Sequence, residues 1–355
     1  MTVIGGIDLD ALDIDNSDLV FPDMVPGRCL NLDGDIVAYN CAGDDETTKP
    51  EVLFNIEAEI KNLMQCTGAD HYVIHITGTG SNKGKRHDIS TVREYQANRN
   101  GKPKPINLEW ARNQMIQKMR AVVHMEQEAD DGLTQLQYEF INRGERNLCV
   151  LVSADKDLRM VPGLHLCPDT TKIVDVDGYG SCWYDKDKSK ATGWGTSFFW
   201  HQLLMGDTAD NIPGLPAFSK RISINYWPTA PLVETQRRIE QGTMPNGKPL
   251  TMKQADAAEA KLTSILDEYK QKPCGAAGVV KYLEDCTSDC DAMVKVSEAY
   301  YALYGDEFTY EDWRGNTITR TSKQMLYEQA ILLWMRREPG HTDFMKFLKE
   351  LGWEV

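Results

Sequence analysis

The sequence predicts an α/β fold with a mainly parallel central sheet flanked by helices, followed by a helical C-terminal region. Three observations lead there. Cys29 to Asp33, His71 to Ile76 and Asn147 to Ser153 are apolar or β-branched runs of strand length. Segments with apolar residues at helical spacing lie between them, and alternating strand and helix is the pattern of a parallel sheet. From Val233 onward the periodicity is helical.

Taken in order, residues 1–27 are acidic and without clear periodicity, and are expected to form a flexible arm ending at Pro26-Gly27. CLNLD, from Cys29, reads as a buried strand that stops at the turn-like Asp33-Gly34-Asp35. Between Glu51 and Gly68, Leu53, Ile56, Ile60, Leu63 and Met64 fall on one helical face, and Gly68 closes the helix. HYVIHI, from His71, is the second strand. A glycine-rich, basic stretch over about residues 80–106 is expected to be a long loop or mobile arch. Asn107 can cap a helix expected to run through Met125, and Glu126 to Ile141 continues as a second helical pattern that starts with acids. NLCVLVS, from Asn147, is a third buried strand, ended by Asp155-Lys156-Asp157. Short strands at Leu164 to Cys167 and Lys172 to Val176 precede a helix from Thr196 to Met205, which runs into GDTADNIPGLPAFSKR. Polar stretches interrupt the later helical pattern around Asn246-Gly247 and Asp312 to Asn316, and Lys323 to Arg337 forms its best amphipathic helix. The chain thus divides into an arm (1–27), a core (28–205) and a helical region (206–355).

With 355 residues, 41% apolar and 26% charged, the chain can bury a sizeable core. No apolar run approaches the roughly 18 to 20 residues of a membrane span, and the N-terminus is acidic where a signal peptide is basic. A cytoplasmic protein is expected, in the host cytoplasm if the source is viral, with no membrane partner. The nine cysteines are scattered, with no CxxC pair and no paired histidine spacing, so reduced thiols are expected rather than a zinc site. The formal net charge of -14 argues at face value against a polyanionic partner. However, Lys83 to Lys104 carries seven Lys or Arg against Asp88 and Glu94. An acidic chain with one basic segment suits a protein whose surplus carboxylates are partly matched by bound cations.

Four acidic clusters stand beside expected strand ends or helix starts: Asp33 and Asp35; Glu128, Asp130 and Asp131; Asp155 and Asp157; Asp207 and Asp210. Strand ends of a parallel sheet converge on one crevice, so the first and third clusters should face a shared space. Glu128 and Asp131 share a helix face with Asp130 to one side, and a strand end would aim Asp155 and Asp157 the same way. Each cluster alone has an ordinary explanation as a helix start, turn or cap; their order along the chain is what carries information. Carboxylates gathered this way repel unless cations hold them, and hard oxygen ligands without His or Cys favour Mg²⁺ or Mn²⁺. Two such ions about 3.5 to 4 Å apart can activate water on one side of a phosphate and stabilise the leaving oxygen on the other.

The series LDGD (Leu32 to Asp35), YQANR (Tyr95 to Arg99), EADDG (Glu128 to Gly132), SADKDL (Ser153 to Leu158) and GDTADNIPGL (Gly206 to Leu215) resembles the flap endonuclease and 5′-to-3′ exonuclease superfamily, in the style of the short bacteriophage exonucleases. The resemblance covers roughly residues 28–230. It implies a PIN or resolvase-like nuclease core and two Mg²⁺ ions, with Mn²⁺ as a substitute. The first metal site would draw on Asp33, Glu128, Asp130 and Asp131, the second on Asp155, Asp157, Asp207 and Asp210. Tyr95 to Arg99 would lie in an arch that passes a single-stranded 5′ end. Arg86 and Arg99 would stabilise transition-state charge, with Lys83, Lys85, Arg93 and Tyr95 contacting DNA. Asn211 to Arg221 resembles a helix-two-turn-helix that holds a monovalent cation and grips the duplex, with Lys220 and Arg221 on phosphates. Ala217, Phe218 and Ser219 stand where that motif is usually glycine-rich.

Two further positions depart from the family pattern. Gly78 stands near the place of a metal-binding aspartate at the end of the second strand, with Asp35 as a candidate replacement, and Gln96 replaces an arch lysine. The expected activity is 5′-to-3′ exonuclease with flap cutting, on DNA with 5′ ends or flaps or on an RNA:DNA hybrid, in replication or recombination with a replication-protein contact. A DNA-binding protein that keeps the fold without the chemistry is the alternative. A phosphatase built on Asp33 and Asp35 leaves EADD and DKD without a role.

Overall fold

The computed structural model describes the strand pairs at 3–4 and 7–8 and residues 21–167, 172–215, 239, 241–244, 247–271, 275–340 and 343–353. Its centre is a six-stranded sheet. Cys29–Asp33 (β3) pairs in parallel with His71–Thr77 (β4) on one side and Cys149–Val152 (β6) on the other. Val122–His124 (β5) extends the β4 edge, and Gly163–Cys167 (β7) continues from β6, both in parallel. Lys172–Val176 (β8) closes that edge antiparallel to β7, giving the order β5-β4-β3-β6-β7-β8. The sheet is mainly parallel, as the alternating pattern predicts. The N-terminal pair Val3–Ile4 (β1) and Ile7–Asp8 (β2) is antiparallel; the rest of the expected arm before Phe21 lies outside the described residues.

Strand alternation sends the two faces of β3 to different partners. Leu30 and Leu32 pack with Ile74, Ile76, Val150 and Val152 beneath Gly34–Cys41 (α1), Lys49–Thr67 (α2) and Leu108–Met119 (α4). Asn31 faces the opposite side, where its Nδ2 donates to the Leu133 carbonyl of Ala129–Asn142 (α5) at 2.8 Å. α2 begins with a capping box between Thr48 and Glu51 and ends at Gly68, whose φ of 64° is the left-handed turn that glycine adopts without strain. A second core surrounds the fully buried Phe199, Trp200, Leu203 and Leu204 of Thr196–Met205 (α6). It draws in Val296 and Tyr300 from helix Asp289–Tyr304 and Leu326, Leu333 and Trp334 from the chain around helix Ser322–Leu333.

The structure differs from the sequence expectation in three places. The helix begun at Asn107 stops at Met119, not Met125: Arg120 turns left-handed with φ 57°, and the β-branched Val122-Val123 pair joins the sheet as β5. Two hairpins, Ser181–Asp185 with Lys190–Trp194 and Phe308–Glu311 with Thr317–Arg320, lie within stretches read as featureless or helical. The basic segment is no open loop. It folds down as short helical turns, Lys83–Lys85, Arg86–Ile89 (α3) and Ala97–Arg99, and buries Arg86, Tyr95 and Gln96.

Candidate metal centre

The end of β3 delivers Asp33 as the N-cap of α1, accepting from the Asp35 and Ile36 amides at 3.0 and 3.1 Å. Ser153, just past β6, donates to the other Asp33 oxygen at 2.7 Å and accepts from the Asp155 amide at 2.9 Å. Asp155 in turn accepts from the Asp157 amide at 2.9 Å, so the chain leaving β6 is a ladder of local bonds that sets three acidic positions. Opposite, the Ala129 amide at the start of α5 donates to Thr77 Oγ1 of β4 at 2.9 Å, anchoring Glu128, Asp130 and Asp131 to the same sheet edge. α6 ends at Gly206. Asp207 and Ile212 exchange both backbone hydrogen bonds, at 2.8 and 2.7 Å, so Asp207 and Asp210 sit on a tight turn rather than on a continued helix. The turn requires glycine at both ends: a Cβ on Gly206 would lie 2.4 Å from the Ile212 carbonyl oxygen, and one on Gly214 2.2 Å from the Gly206 nitrogen.

These elements bring the acids into one arc. Oxygens of Asp157, Asp207 and Asp210 lie within 4.8 Å of one another. Asp33, Asp130 and Asp155 form the other part: burial foremost pushes all three carboxyls up, Asp33 to about 7, with added charge from Asp35 and Asp155 on Asp33, from Asp155 and Asp33 on Asp130, and from Asp210 and Asp207 on Asp155. Asp155 thus stands between the two groups. Glu128 is the extended N-cap of α5 and not part of its helical face, and both its carboxylate and that of Asp131 are turned to Arg86. The Arg86 guanidinium is 1% exposed and donates to both Asp131 oxygens at 2.9 Å, to Glu128 Oε2 at 3.0 Å and to the Trp334 carbonyl at 3.0 Å. Burial would raise the Asp131 carboxyl, yet the Arg86 charge and hydrogen bonds hold it below the ordinary range. The structure therefore sets Glu128, Asp131 and Arg86 in an interior clamp and Asp33, Asp130, Asp155, Asp157, Asp207 and Asp210, buried to half-buried, in a separate arc.

Other cations close over the arc. Lys156 Nζ lies 2.9 Å from Asp157 Oδ1 and 2.9 Å from Asp207 Oδ2. Burial would raise Asp207, but this ammonium holds it low, while burial and the Asp155 charge push Asp157 up. Gln202 of α6 also donates to Asp157 Oδ1, at 2.5 Å. From the arch, the Tyr95 hydroxyl lies 3.0 Å from Glu128 Oε2 and 2.9 Å from Asp210 Oδ2, and Arg99 pairs with Asp210. The Gln96 amide donates to Glu128 at 3.2 Å and Asp210 at 3.0 Å while its oxygen accepts from Lys83. Lys85 and Arg93 are exposed on the outer side of the segment. Lys220 and Arg221 lie outside the described residues, as do Ala217 to Ser219.

Gly78 has little room for a longer side chain. Its Cβ would meet Met125 Sδ at 2.2 Å, Val123 Cγ1 at 3.0 Å and the His124 carbonyl oxygen at 3.2 Å. Asp35 accepts from the Thr77 amide at 2.9 Å and pairs with Arg112 at 3.0 Å, which ties α1 to β4 and α4. Sequence reading missed the supports beneath the arch. The Glu328 carboxylate receives the Thr91 amide and hydroxyl at 2.8 and 2.6 Å. Trp313 and Arg314 donate to the Ser90 carbonyl at 2.9 and 3.1 Å, and Arg336 donates to the Gly84 carbonyl at 2.6 Å. No spacing marks these residues, because their partners are more than 200 positions away. Lys156 had a signal, its place between two acids of SADKDL.

The donor set fits a hard divalent cation. Its groups are carboxylate oxygens throughout, several are pushed up by burial and then by one another's charge, and Asp207 Oδ2 is buried and lacks a hydrogen bond of good geometry even beside Lys156. No zinc-like cluster of Cys or His occurs among the described residues. No helix among the described residues is long and apolar enough to cross a membrane.

No protein-family model matches the chain, and the search of curated proteins returns no match. Solved structures similar to it include ones from bacteriophage T5. The D15 protein co-crystallised with metal ions is 14% identical with a TM-score of 0.41, over 78% of this chain and 93% of that one. A D15 flap endonuclease variant in a pseudo-enzyme–product complex with DNA and metal ions has the same identity and TM-score, over 86% and 99%. A 5′-exonuclease mutant is 13% identical with a TM-score of 0.36, over 86% and 99%. These are proteins of the superfamily whose motifs the sequence resembles, and a likeness of this degree carries no argument about function.

Proposed function

We propose that this chain is a divalent-cation-dependent 5′-to-3′ nuclease that hydrolyses DNA phosphodiester bonds at 5′ ends or flaps. The observation that carries the reading is the arc of Asp33, Asp130, Asp155, Asp157, Asp207 and Asp210, formed where β3, β6, α5 and α6 end or begin, with a cationic segment folded directly over it. Asp33, Asp130 and Asp155 would hold one Mg²⁺, and Asp157, Asp207 and Asp210 a second, with Mn²⁺ as a substitute. Bound there, the ions would supply Lewis-acid charge to the phosphate and lower the pKa of the attacking water.

The chain's own residues do the rest. Arg86 fixes the angle of α5 by holding Glu128 and Asp131, so it acts as a support for Asp130 and not as a phosphate contact. Tyr95 and Gln96 hold the arch at Glu128 and Asp210. Lys83 and Arg99 are the cations best placed to meet a phosphate, Arg99 being 50% exposed and Lys83 half-buried at the edge of the arc. Lys85 and Arg93 face outward and suit the DNA backbone. In this reading residues 28–205 are the nuclease core. The region from 206 grips the duplex through its first turn, with Lys220 and Arg221 on phosphates and a monovalent cation there in doubt, and buttresses the arch through Glu328, Trp313, Arg314 and Arg336. An RNA:DNA hybrid substrate, a replication-protein contact and a cytoplasmic setting belong to the same proposal.

One observation favours a second reading, a DNA-binding protein without the chemistry. Lys156 and Arg99 already offset part of the charge of the acidic arc, so its carboxylates persist without a metal. Cleavage of 5′-end-labelled duplex, flap and RNA:DNA hybrid substrates in Mg²⁺ and in EDTA separates the two. Metal-dependent release from the 5′ end is expected. Tight binding with no cleavage in Mg²⁺ or Mn²⁺ refutes the nuclease reading and leaves the binding protein.

A further inference from the structure

Two kinds of cation pair with the acids of the site, one in the clamp and one in the arc. Arg86 is 1% exposed and spends its donors on Asp131, Glu128 and the Trp334 carbonyl, so it cannot leave without stranding a buried charge. Lys156 differs. Its side chain is 43% exposed, it is a flexible four-carbon stem, and its ammonium sits between Asp157 and Asp207, at 2.9 Å from each. Those carboxylates are 7% and 2% exposed, and with Asp210 they are the described acids whose oxygens converge within 4.8 Å. A half-solvated cation thus fills the one converged oxygen cluster, and it can withdraw into water along its own stem.

We propose that Lys156 is a tethered stand-in cation. It occupies the Asp157–Asp207 position while no metal is bound and is displaced when a divalent ion enters. The inference deepens the nuclease reading and rests on it for the identity of that ion. Among the described residues no ammonium or guanidinium forms an ion pair with Asp33, Asp130 or Asp155, and Lys156 reaches Asp155 only at longer range, so a divalent ion fills that part of the arc first. Entry at Asp157, Asp207 and Asp210 must expel the ammonium and is the weaker step. The exchange keeps the buried acids matched by positive charge at each stage and makes occupancy of the second position depend on ion concentration. Once expelled, the ammonium stands in solvent at the mouth of the arc, on the side a phosphate would approach.

The test is titration of the full chain with Mn²⁺, reading free Mn²⁺ by electron paramagnetic resonance, for the wild type, Lys156→Met and Lys156→Gln. Two binding steps are expected in the wild type. In the variants the weaker step should tighten by roughly tenfold, the usual size of coupling between competing ligands, while the tighter step stays put. In the wild type, Mn²⁺ should also raise the rate at which an amine-reactive reagent labels Lys156, read by mass spectrometry, and this arm needs no variant to fold. Equal or weaker Mn²⁺ binding in the variants, or labelling of Lys156 unchanged by Mn²⁺, overturns the stand-in role and leaves the metal centre intact. No Mn²⁺ binding by any of the chains overturns both the stand-in role and the nuclease reading.

Discussion

Replacing Arg86 with methionine keeps the length of the side chain and removes its charge, which isolates the role assigned to the interior clamp. Asp131 is fully buried, and Arg86 supplies a hydrogen bond to each of its oxygens at 2.9 Å. After the change it keeps the Arg336 amide at 3.1 Å but loses its adjoining guanidinium, and Glu128 loses a partner as well. Removing one member of a buried pair costs about 3 to 5 kcal/mol, because the other charge is left without compensation. Urea unfolding followed by circular dichroism reads this directly. With a slope of about 3 kcal/mol per molar, the midpoint should fall by roughly 1 to 1.7 M. Adding Asp131→Asn should recover most of the loss, since the stranded charge is then gone. The Asp131 carboxyl is held low, so the clamp's contribution is present above the ordinary carboxylate pKa and disappears as pH falls through the depressed value. A midpoint unchanged by Arg86→Met, or a double variant no better than the single, would refute the clamp and return Arg86 to the candidates for phosphate contact.

The arc has the opposite pH dependence. Asp33, Asp130, Asp155 and Asp157 are all pushed up, so the metal-free chain should lose stability as pH rises from the ordinary carboxylate range through the raised values. For Asp33 the move from 3.8 to about 7 corresponds to on the order of 4 kcal/mol once pH exceeds 7. Thermal scans should therefore show Mg²⁺ raising the midpoint more at pH 8 than at pH 5; an equal or reversed effect contradicts the assignment. Lys83→Ala and Arg99→Ala should each lower single-turnover cleavage at saturating DNA by about 10²- to 10³-fold, and retained rates would exclude them as charge-stabilising groups. Lys85→Ala and Arg93→Ala should instead weaken DNA binding and reduce its salt slope by about one each, which salt-titrated anisotropy measures.

Much of this arrangement was legible in the sequence because it is local. β3 and the helix Thr196–Met205 fall where their apolar runs place them, whereas Glu128 is an extended N-cap and meets Asp131 through Arg86 and not through helical spacing. Asp207 and Asp210, three apart, would share a face only on a continued helix, and the glycines at 206 and 214 impose a turn that ends it. The helix predicted through Met125 failed at Arg120, where a left-handed residue and two valines favoured a strand over continued periodicity. The arch was read as open because its composition is polar and basic. Its folding depends on buried partners far along the chain: Thr91 on Glu328, Arg86 on the Trp334 carbonyl, and the Gly84 carbonyl on Arg336. Such pairs have no sequence period, and a lone buried arginine looks like a surface one until its carboxylate is located.

The central claim is that chemistry resides in the carboxylate arc and that the arch and duplex-binding surface are separable from it. Single-turnover cleavage of an end-labelled 5′ flap by the wild type and by Asp155→Ala, Asp157→Ala, with DNA binding measured in parallel by anisotropy in Ca²⁺, tests it most directly. The account predicts Mg²⁺-dependent cleavage by the wild type and none by the double variant, at DNA affinities within a few-fold of each other. Cleavage that survives loss of both aspartates would contradict it.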